Sequence, residues 1–171
     1  KYAVRSYEVD INGRLSILAI CNFMQDAASK HAHALGVGVR DLMADNHTWV
    51  LSRLAVKMTD YPVWQDQIRV STWPTGAQRL FALRDFEITN TSNHKIGLGT
   101  SAWLVIDRQK RRPVRINSFI KKLKPVKDHR ALNASLDKLP LVNSCDHMRR
   151  FHVRHRDLDL NQHVNNVSYI E

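Results

Sequence analysis

Hydrophobic residues recur at helical spacing near the start of the chain. Over residues 16–35 the positions expected on one face of a helix are Ile17, Ile20, Met24, Ala27, His31 and Leu35. Gly36 follows them, where a glycine commonly ends a helix. The pattern predicts one long amphipathic helix, with His31 as a packed or hydrogen-bonded residue, and residues 38–44 favour a short second helix or a turn.

Beyond residue 44 the period of the pattern changes to two, which is typical of half-buried β-strands. Strands are expected over residues 48–59, 68–73, 80–89 and 96–106, with another over residues 2–9 before the helix. The apolar face expected for the first of these consists of Val50, Leu54, Val56 and Met58. Residues 74–76 are predicted to turn the chain. In the strand expected over residues 80–89, Arg84 falls on the apolar face. One helix with consecutive antiparallel strands is an α+β pattern, in which the helix packs on one sheet face.

The composition is that of a globular domain. Hydrophobic residues make up 43% of the chain and charged residues 25%. No apolar run approaches the roughly 18 residues that cross a bilayer, so no membrane insertion is expected. The two cysteines, Cys21 and Cys145, suit neither a disulfide framework nor a zinc site, which favours a reducing compartment. Cys21 lies on the predicted helix, where a small core residue is commoner than a nucleophile.

Much of the formal net charge of +10 lies in three basic runs. Two of them fall within residues 121–130 and 149–156. Such a run is usually a solvated face, and nucleic acid is the partner that it first suggests. No zinc-finger, RNP or helix-turn-helix pattern accompanies the runs, so no nucleic-acid partner is expected. An acidic protein would be attracted by the same positive charge. The candidates for contact with such a protein are Arg108, Lys110, Arg111 and Arg112.

An internal repeat relates the two ends of the chain. At an offset of 149 residues, residues 2–21 align without a gap on residues 151–170, with few identities but with coinciding apolar positions. A D-x-N motif begins at Asp10 in the first copy and at Asp159 in the second. The repeat predicts a duplication. The expected divisions are a domain over residues 1–120, a linker over 121–146 and the incomplete start of a second domain over 147–171.

Three polar side chains occupy alternate positions in the second copy, namely Asp159, Asn161 and His163. On an extended segment they would project to the same side. Helical spacing resumes at Val164, which would place free backbone N–H groups beside them. The parts suit hydrolysis of an activated acyl group: an imidazole that deprotonates water, an amide that positions that water or the substrate carbonyl, and a carboxylate that orients the amide or serves as a further base. The alternative is a turn with ordinary capping residues. The first copy has Arg14 in place of His163, as expected if one half kept the chemistry.

Residues 157–170 closely resemble the D-L-D-x-N-x-H-V-N-N-x-x-Y-I signature of plant-type and bacterial acyl-ACP thioesterases. Other segments fall in that family's order at similar spacings, namely residues 24–28, 49–53, 61–64, 72–73, 84–85, 101–103 and 111–112. The resemblance covers nearly the whole chain. It implies a tandem hotdog fold, with a long central helix packed on an antiparallel sheet and a second copy that is incomplete in this sequence.

The resemblance also implies a function, which is hydrolysis of fatty acyl-ACP to free fatty acid and ACP in fatty acid biosynthesis. The partner would be acyl carrier protein with its phosphopantetheine-linked chain, and neither a metal nor another cofactor is expected. The catalytic residues would be Asp159, Asn161 and His163. A hotdog acyl-CoA thioesterase and a non-catalytic acyl-binding or regulatory module are the alternative functions.

Three further expectations concern the pocket, the assembly and the location. The candidates for the acyl pocket are Phe23, Met24, Trp49 and Met58. The alternative for these residues is ordinary core packing. A lone hotdog domain leaves a sheet edge unpaired, so a homodimer is expected. The expected location is the bacterial cytoplasm, or the plastid stroma in a plant.

Overall fold

A long helix lies against one face of a six-stranded antiparallel sheet. The computed structural model describes residues 1–170, except for the side chains at positions 117, 118 and 120. The strands are β1 (Tyr2–Ala3), β2 (His47–Met58), β3 (Gln67–Gln78), β4 (Phe81–Asn90), β5 (Lys95–Asp107) and β6 (Arg112–Pro113). The helices are α1 (Ile17–Ala34), α2 (Val39–Ala44) and α3 (Asn117–Leu123), and 3-10 helices occupy Ser6–Glu8, His155–Asp157 and Asn166–Tyr169. The sheet order is β1-β3-β4-β5-β2, with β6 paired to β5, which confirms the predicted α+β hotdog fold.

Both ends of α1 follow from its sequence. The hydroxyl of Ser16 accepts a hydrogen bond from the N–H of Ala19 at 3.2 Å, which satisfies one of the free donors at the start of the helix. Gly36 has a φ of +67° just beyond the last turn, a conformation that glycine adopts without strain. The predicted helix and its stop signal are therefore confirmed. None of the helices within residues 1–170 has the length and apolar character of a bilayer span.

Two glycines of β5 let large side chains pack closely on the sheet. A Cβ atom at Gly99 would overlap the end of the Met24 side chain, and one at Gly97 would overlap Met58. Met24 is fully buried in the main core between α1 and the sheet. Gly97 and Gly99 therefore lie on the face of β5 that packs against the main core.

A bulge in β2 changes which of its side chains face the helix. The pairing of β2 with β5 shifts between Leu51 and Arg53, so the alternation of faces inverts there. Trp49 and Leu51 face the helix before the bulge, on the side that Leu54 occupies after it. The prediction that Val50 shares a face with Leu54 is wrong, because a strict period of two has no place for the extra residue.

The strand β3 is longer than predicted, and residues 74–76 do not turn the chain. The register with β4 is irregular between Pro74 and Gly76, and the turn follows at Arg79, which has a φ of +55°. Pro74 is tolerated because β1 pairs only with the start of β3, so among residues 1–170 no strand on that edge needs the N–H that proline lacks, and the Pro74 carbonyl accepts a hydrogen bond from the N–H of Val126 at 2.9 Å. The proline and glycine therefore mark an irregular edge rather than a turn.

The segment after α3 crosses the sheet face opposite α1. It is anchored at Asp85, a fully buried residue of β4 whose carboxylate accepts hydrogen bonds from Arg130 Nε at 3.0 Å and from the N–H of Ala131 at 2.6 Å. The hydroxyl of Thr100 donates to the same carboxylate at 2.7 Å. The buried charge is thus partnered through both of its oxygens.

Candidate active site

The segment that holds the predicted catalytic residues is a tight loop. The carboxylate of Asp159 accepts hydrogen bonds from the N–H groups of Asn161 at 2.8 Å and His163 at 3.1 Å. The N–H of Asp159 in turn donates to the carbonyl of His163 at 2.8 Å, and Gln162 has a φ of +61°. The expectation of an extended segment is therefore wrong, because the carboxylate closes the chain on itself.

The first copy forms the same loop, so the predicted repeat is present in the structure. The carboxylate of Asp10 accepts hydrogen bonds from the N–H groups of Asn12 at 2.8 Å and Arg14 at 3.0 Å. Gly13, which corresponds to Gln162, has a φ of +72°. The two loops close by the same bonds around a residue in the left-handed region.

The resemblance between the copies extends to the turn that precedes each loop. Glu8 accepts a hydrogen bond from the N–H of Arg5 at 2.9 Å, and Asp157 accepts one from the N–H of Arg154 at 2.7 Å. The second of these bonds holds the pKa of Asp157 below its usual range. In the first copy this turn replaces most of the strand predicted over residues 2–9, which is wrong beyond Ala3.

A hydrogen bond fixes the second loop to the sheet. The hydroxyl of Thr48 donates to Oδ1 of Asn161 at 2.7 Å, across 113 positions of sequence. Thr48 lies at the start of β2 and is only 2% exposed. Because the oxygen of the amide is engaged by Thr48, the NH2 group of Asn161 is the part left for a ligand. Thr48 could not be predicted as part of the site, since a threonine near a strand end carries no sequence signal for so distant a contact.

A groove of about 1270 Å³ runs beside this loop. All three predicted catalytic residues line it, with Asp159 and Asn161 half-buried and His163 exposed. Its other walls come from α1, β2 and β4. The polar trio thus borders a space large enough for a small-molecule chain.

The backbone donors expected beside the trio are largely engaged. Asn165 caps the 3-10 helix that follows the loop, and its side-chain oxygen accepts a hydrogen bond from the N–H of Val167 at 3.2 Å. The N–H of Ser168 donates to the carbonyl of Asn165 at 2.9 Å. The prediction of free donors is therefore wrong for these two groups, because the side-chain oxygen of Asn165 engages the first and its backbone carbonyl the second.

The four candidates for the acyl pocket separate into two groups. Phe23, Met24 and Met58 pack in the main core, where Phe23 stacks on Tyr2 with ring centroids 4.5 Å apart. Trp49 lines the groove, and its indole N–H donates to the carbonyl of Val37 at 2.8 Å. Core packing thus accounts for three of the four, whereas Trp49 is placed to contact a ligand.

Two of the four basic candidates also reach the groove. Arg108 and Arg111 line it, at the end of the sheet where β5 turns into β6. Asp107 shapes this turn by accepting hydrogen bonds from the N–H groups of Gln109 and Lys110, both at 2.9 Å. Those bonds hold the pKa of Asp107 below its usual range. The guanidinium groups therefore meet the groove from a well-defined turn.

A buried cation, Arg84, also lines the groove. It is 6% exposed, and burial lowers its pKa to about 10. Its Nη1 donates to Nδ1 of His31 at 3.1 Å and to the hydroxyl of Thr72 at 3.0 Å. Burial, with the charge of Arg84 adding to it, holds the pKa of His31 below its ordinary value. Within residues 1–170 no three histidine, cysteine or acidic side chains gather as metal ligands would.

The chain is similar to known proteins along its whole length. The family model of the acyl-ACP thioesterase N-terminal domain matches residues 1–123, and that of the C-terminal domain matches residues 143–171. A chloroplastic oleoyl-acyl carrier protein thioesterase of Arabidopsis thaliana is 32% identical over 188 residues, which cover 99% of this chain and 51% of that protein. The chain spans about half the length of the curated relatives it matches.

Two solved structures share the fold closely. The crystal structure of an acyl-ACP thioesterase from Bacteroides thetaiotaomicron superposes with a TM-score of 0.86 at 31% identity, covering 99% of this chain and 68% of that one. The 12:0-ACP thioesterase from Umbellularia californica superposes with a TM-score of 0.84 at 29% identity, covering 99% and 70%.

Proposed function

Because this chain belongs to the acyl-ACP thioesterase family, we propose that its protein hydrolyses fatty acyl-ACP to free fatty acid and ACP. The observation that carries the proposal is the loop of Asp159, Asn161 and His163, which borders the groove and is bonded to Thr48 of the sheet. The relatives described above are named for the same substrate class.

Each member of the trio has a distinct part in the proposed reaction. His163 removes a proton from a water molecule, whose oxygen attacks the thioester carbonyl carbon. The NH2 group of Asn161 donates to the carbonyl oxygen as its charge develops, while Thr48 holds the amide in that orientation. The carbon–sulfur bond then breaks, and the leaving thiolate takes the proton from the imidazolium. Asp159 shapes the loop, because its carboxylate is engaged by two backbone N–H groups.

The proposed partner is the acidic acyl carrier protein. Arg108 and Arg111 border the groove, so positive charge lies beside the place where the carrier's phosphopantetheine arm would enter. Such charge accelerates encounter with an acidic protein and does so less as salt rises. A homodimer and a location in the bacterial cytoplasm, or in the plastid stroma of a plant, complete the proposal.

The test compares acyl transfer to water with acyl binding in the full-length protein. His163→Ala should lower hydrolysis of a long-chain acyl-ACP while leaving binding of the chain intact. His147→Ala is the matched control, because His147 is exposed and does not line the groove. Unchanged hydrolysis in His163→Ala would refute the site. Equal rates on acyl-ACP and acyl-CoA would favour the acyl-CoA thioesterase, and binding without hydrolysis in the unaltered protein would favour an acyl-binding module.

A further inference from the structure

Arg84 is a buried charge with only neutral partners. Its guanidinium has five donors, and the two side-chain bonds that it makes, to His31 and Thr72, both come from Nη1. Among residues 1–170, no carboxylate lies within ion-pairing distance of it. Burying a guanidinium is expensive unless it is paired, and among residues 1–170 the remaining donors lack the anion that such a group normally has.

The neighbouring acidic side chains are committed elsewhere. Asp85 points to the opposite face of the sheet, where it is engaged by Arg130. Asp26 lines the groove, but its carboxylate accepts hydrogen bonds from the hydroxyl of Tyr2 at 2.7 Å and from Lys30 Nζ at 2.5 Å. The cation of Arg84 is therefore not neutralised from the sheet or from α1.

The imidazole beside Arg84 cannot supply the missing charge. Because a guanidinium only donates, Nδ1 of His31 must accept, which requires the neutral ring. The same bond turns the imidazole into a support that orients the guanidinium. Arg84 thus lines the groove as a single positive charge that His31 and the hydroxyl of Thr72 hold in place.

The group is separate from the catalytic loop. Arg84 pairs with Ser101 of β5, whereas Thr48, which holds Asn161, pairs with Ile106. These pairs are five strand positions apart, or roughly 16 Å along the sheet. Asn161 and Arg84 both line the groove, so one ligand with an apolar chain could reach both places with different parts.

We propose that Arg84 is an oxyanion subsite of the groove, which binds the carboxylate of a fatty acid. The carboxylate has two possible sources. A free fatty acid, the product of the proposed hydrolysis, would enter with its headgroup towards Arg84 and compete with substrate. An acyl chain that carries a carboxyl group at its far end would place that group there during hydrolysis. The inference rests on the proposed function only in that the groove receives an acyl chain.

The test measures binding of dodecanoate, dodecan-1-ol and inorganic phosphate by calorimetry to the full-length protein and to two variants. Arg84→Gln removes the cation from the groove, and Arg69→Gln is the matched control, because Arg69 lies exposed on β3 outside the groove. Dodecanoate should bind Arg84→Gln about 10- to 100-fold more weakly than the unaltered protein and the control, with dodecan-1-ol unchanged. An unaltered Kd for dodecanoate, or an equal loss for dodecan-1-ol, would overturn the subsite.

Further arms separate the sources and guard against misfolding. If a far-end carboxyl group is the natural occupant, Arg84→Gln should raise KM for acyl-ACP bearing such a group and not for its methyl-ended equivalent. Binding of phosphate that also depends on Arg84, at the same affinity as dodecanoate, would show a general anion site and overturn the assignment to fatty acids.

Arg84→Lys, which keeps the charge, should retain at least part of the preference for dodecanoate over dodecan-1-ol. His163→Ala should lose hydrolysis and keep this preference, so failure of the proposed function and failure of the subsite are distinguishable.

Discussion

The two copies of the loop share a backbone and differ in chemistry. In each, one aspartate closes the loop by accepting two backbone hydrogen bonds, at Asp10 in the first copy and at Asp159 in the second. The second loop carries His163 and is bonded to Thr48, whereas the first carries Arg14 in the same place. The D-x-N motif therefore forms the loop by itself, and the residues around it decide what the loop can do.

The largest expected effect comes from making the second loop resemble the first. His163→Arg replaces the imidazole with the side chain that the first loop already accommodates in an exposed position. We expect kcat for acyl-ACP to fall by about 10²- to 10⁴-fold, because a guanidinium cannot accept a proton from water. The melting temperature should stay within the error of the unaltered protein. Steady-state kinetics and thermal melting check both, and a variant with substantial activity would contradict the assignment of His163 as the base.

A smaller loss is expected when the bond between the second loop and the sheet is removed. Thr48→Val keeps the shape of the side chain and deletes the donor to Asn161. We expect kcat to fall about 10-fold with little change in KM, because the amide loses its fixed orientation rather than its contact with the chain.

The control for this prediction is another buried threonine. Among residues 1–170 the hydroxyl of Thr89 makes no hydrogen bond, so Thr89→Val deletes nothing of the same kind. Thr48→Ser should recover most of the rate, since the donor returns. Equal kcat values for Thr48→Val and Thr89→Val would show that the bond does not position Asn161.

The third prediction concerns the aspartates that both loops share. Asp10→Ala and Asp159→Ala each remove the acceptor of two backbone bonds, so each should lower the free energy of unfolding by about 1 kcal/mol. Only Asp159→Ala should also lower kcat, because it alone displaces His163. Denaturant unfolding and kinetics on the two variants give a two-by-two comparison, and a loss of activity in Asp10→Ala equal to that in Asp159→Ala would remove the distinction between the copies.

Local signals in the sequence predicted much of the fold. Gly36 marked the end of α1 in advance, because a left-handed stop acts through its immediate neighbours. The bulge beside Leu51 escaped prediction, since one extra residue inverts an alternation without altering composition. Pro74 was wrongly predicted to end its strand. Whether a proline breaks a strand depends on which partner strand lies beside it, and the local sequence does not show this.

The candidate site likewise contains residues that the local sequence predicts and residues that depend on distant contacts. The repeat and the motif placed Asp159, Asn161 and His163 together on one short loop, and they line one groove. The shape of that loop was wrongly predicted as extended, although Asp10 in the first copy offered the same turn chemistry. Thr48 and the unpaired charge of Arg84 could not be foreseen, because both depend on contacts between strands or copies that spacing alone does not encode.

The smallest effect should come from the residue at the tip of each loop. Gln162 has a φ of +61°, where Gly13 stands in the first copy at +72°. A side chain in the left-handed region costs roughly 1 kcal/mol relative to glycine, while glycine gives the unfolded chain more freedom. Gln162→Gly should therefore stabilise the protein by a few tenths of a kcal/mol at most, whereas Gly13→Gln should destabilise it by up to about 1 kcal/mol. Because no Cβ contact would obstruct a side chain at Gly13, backbone strain is the only cause in play. Denaturant unfolding of both variants tests the pair, and a marked gain from Gly13→Gln would show that the two loops do not share the backbone conformation on which the comparison depends.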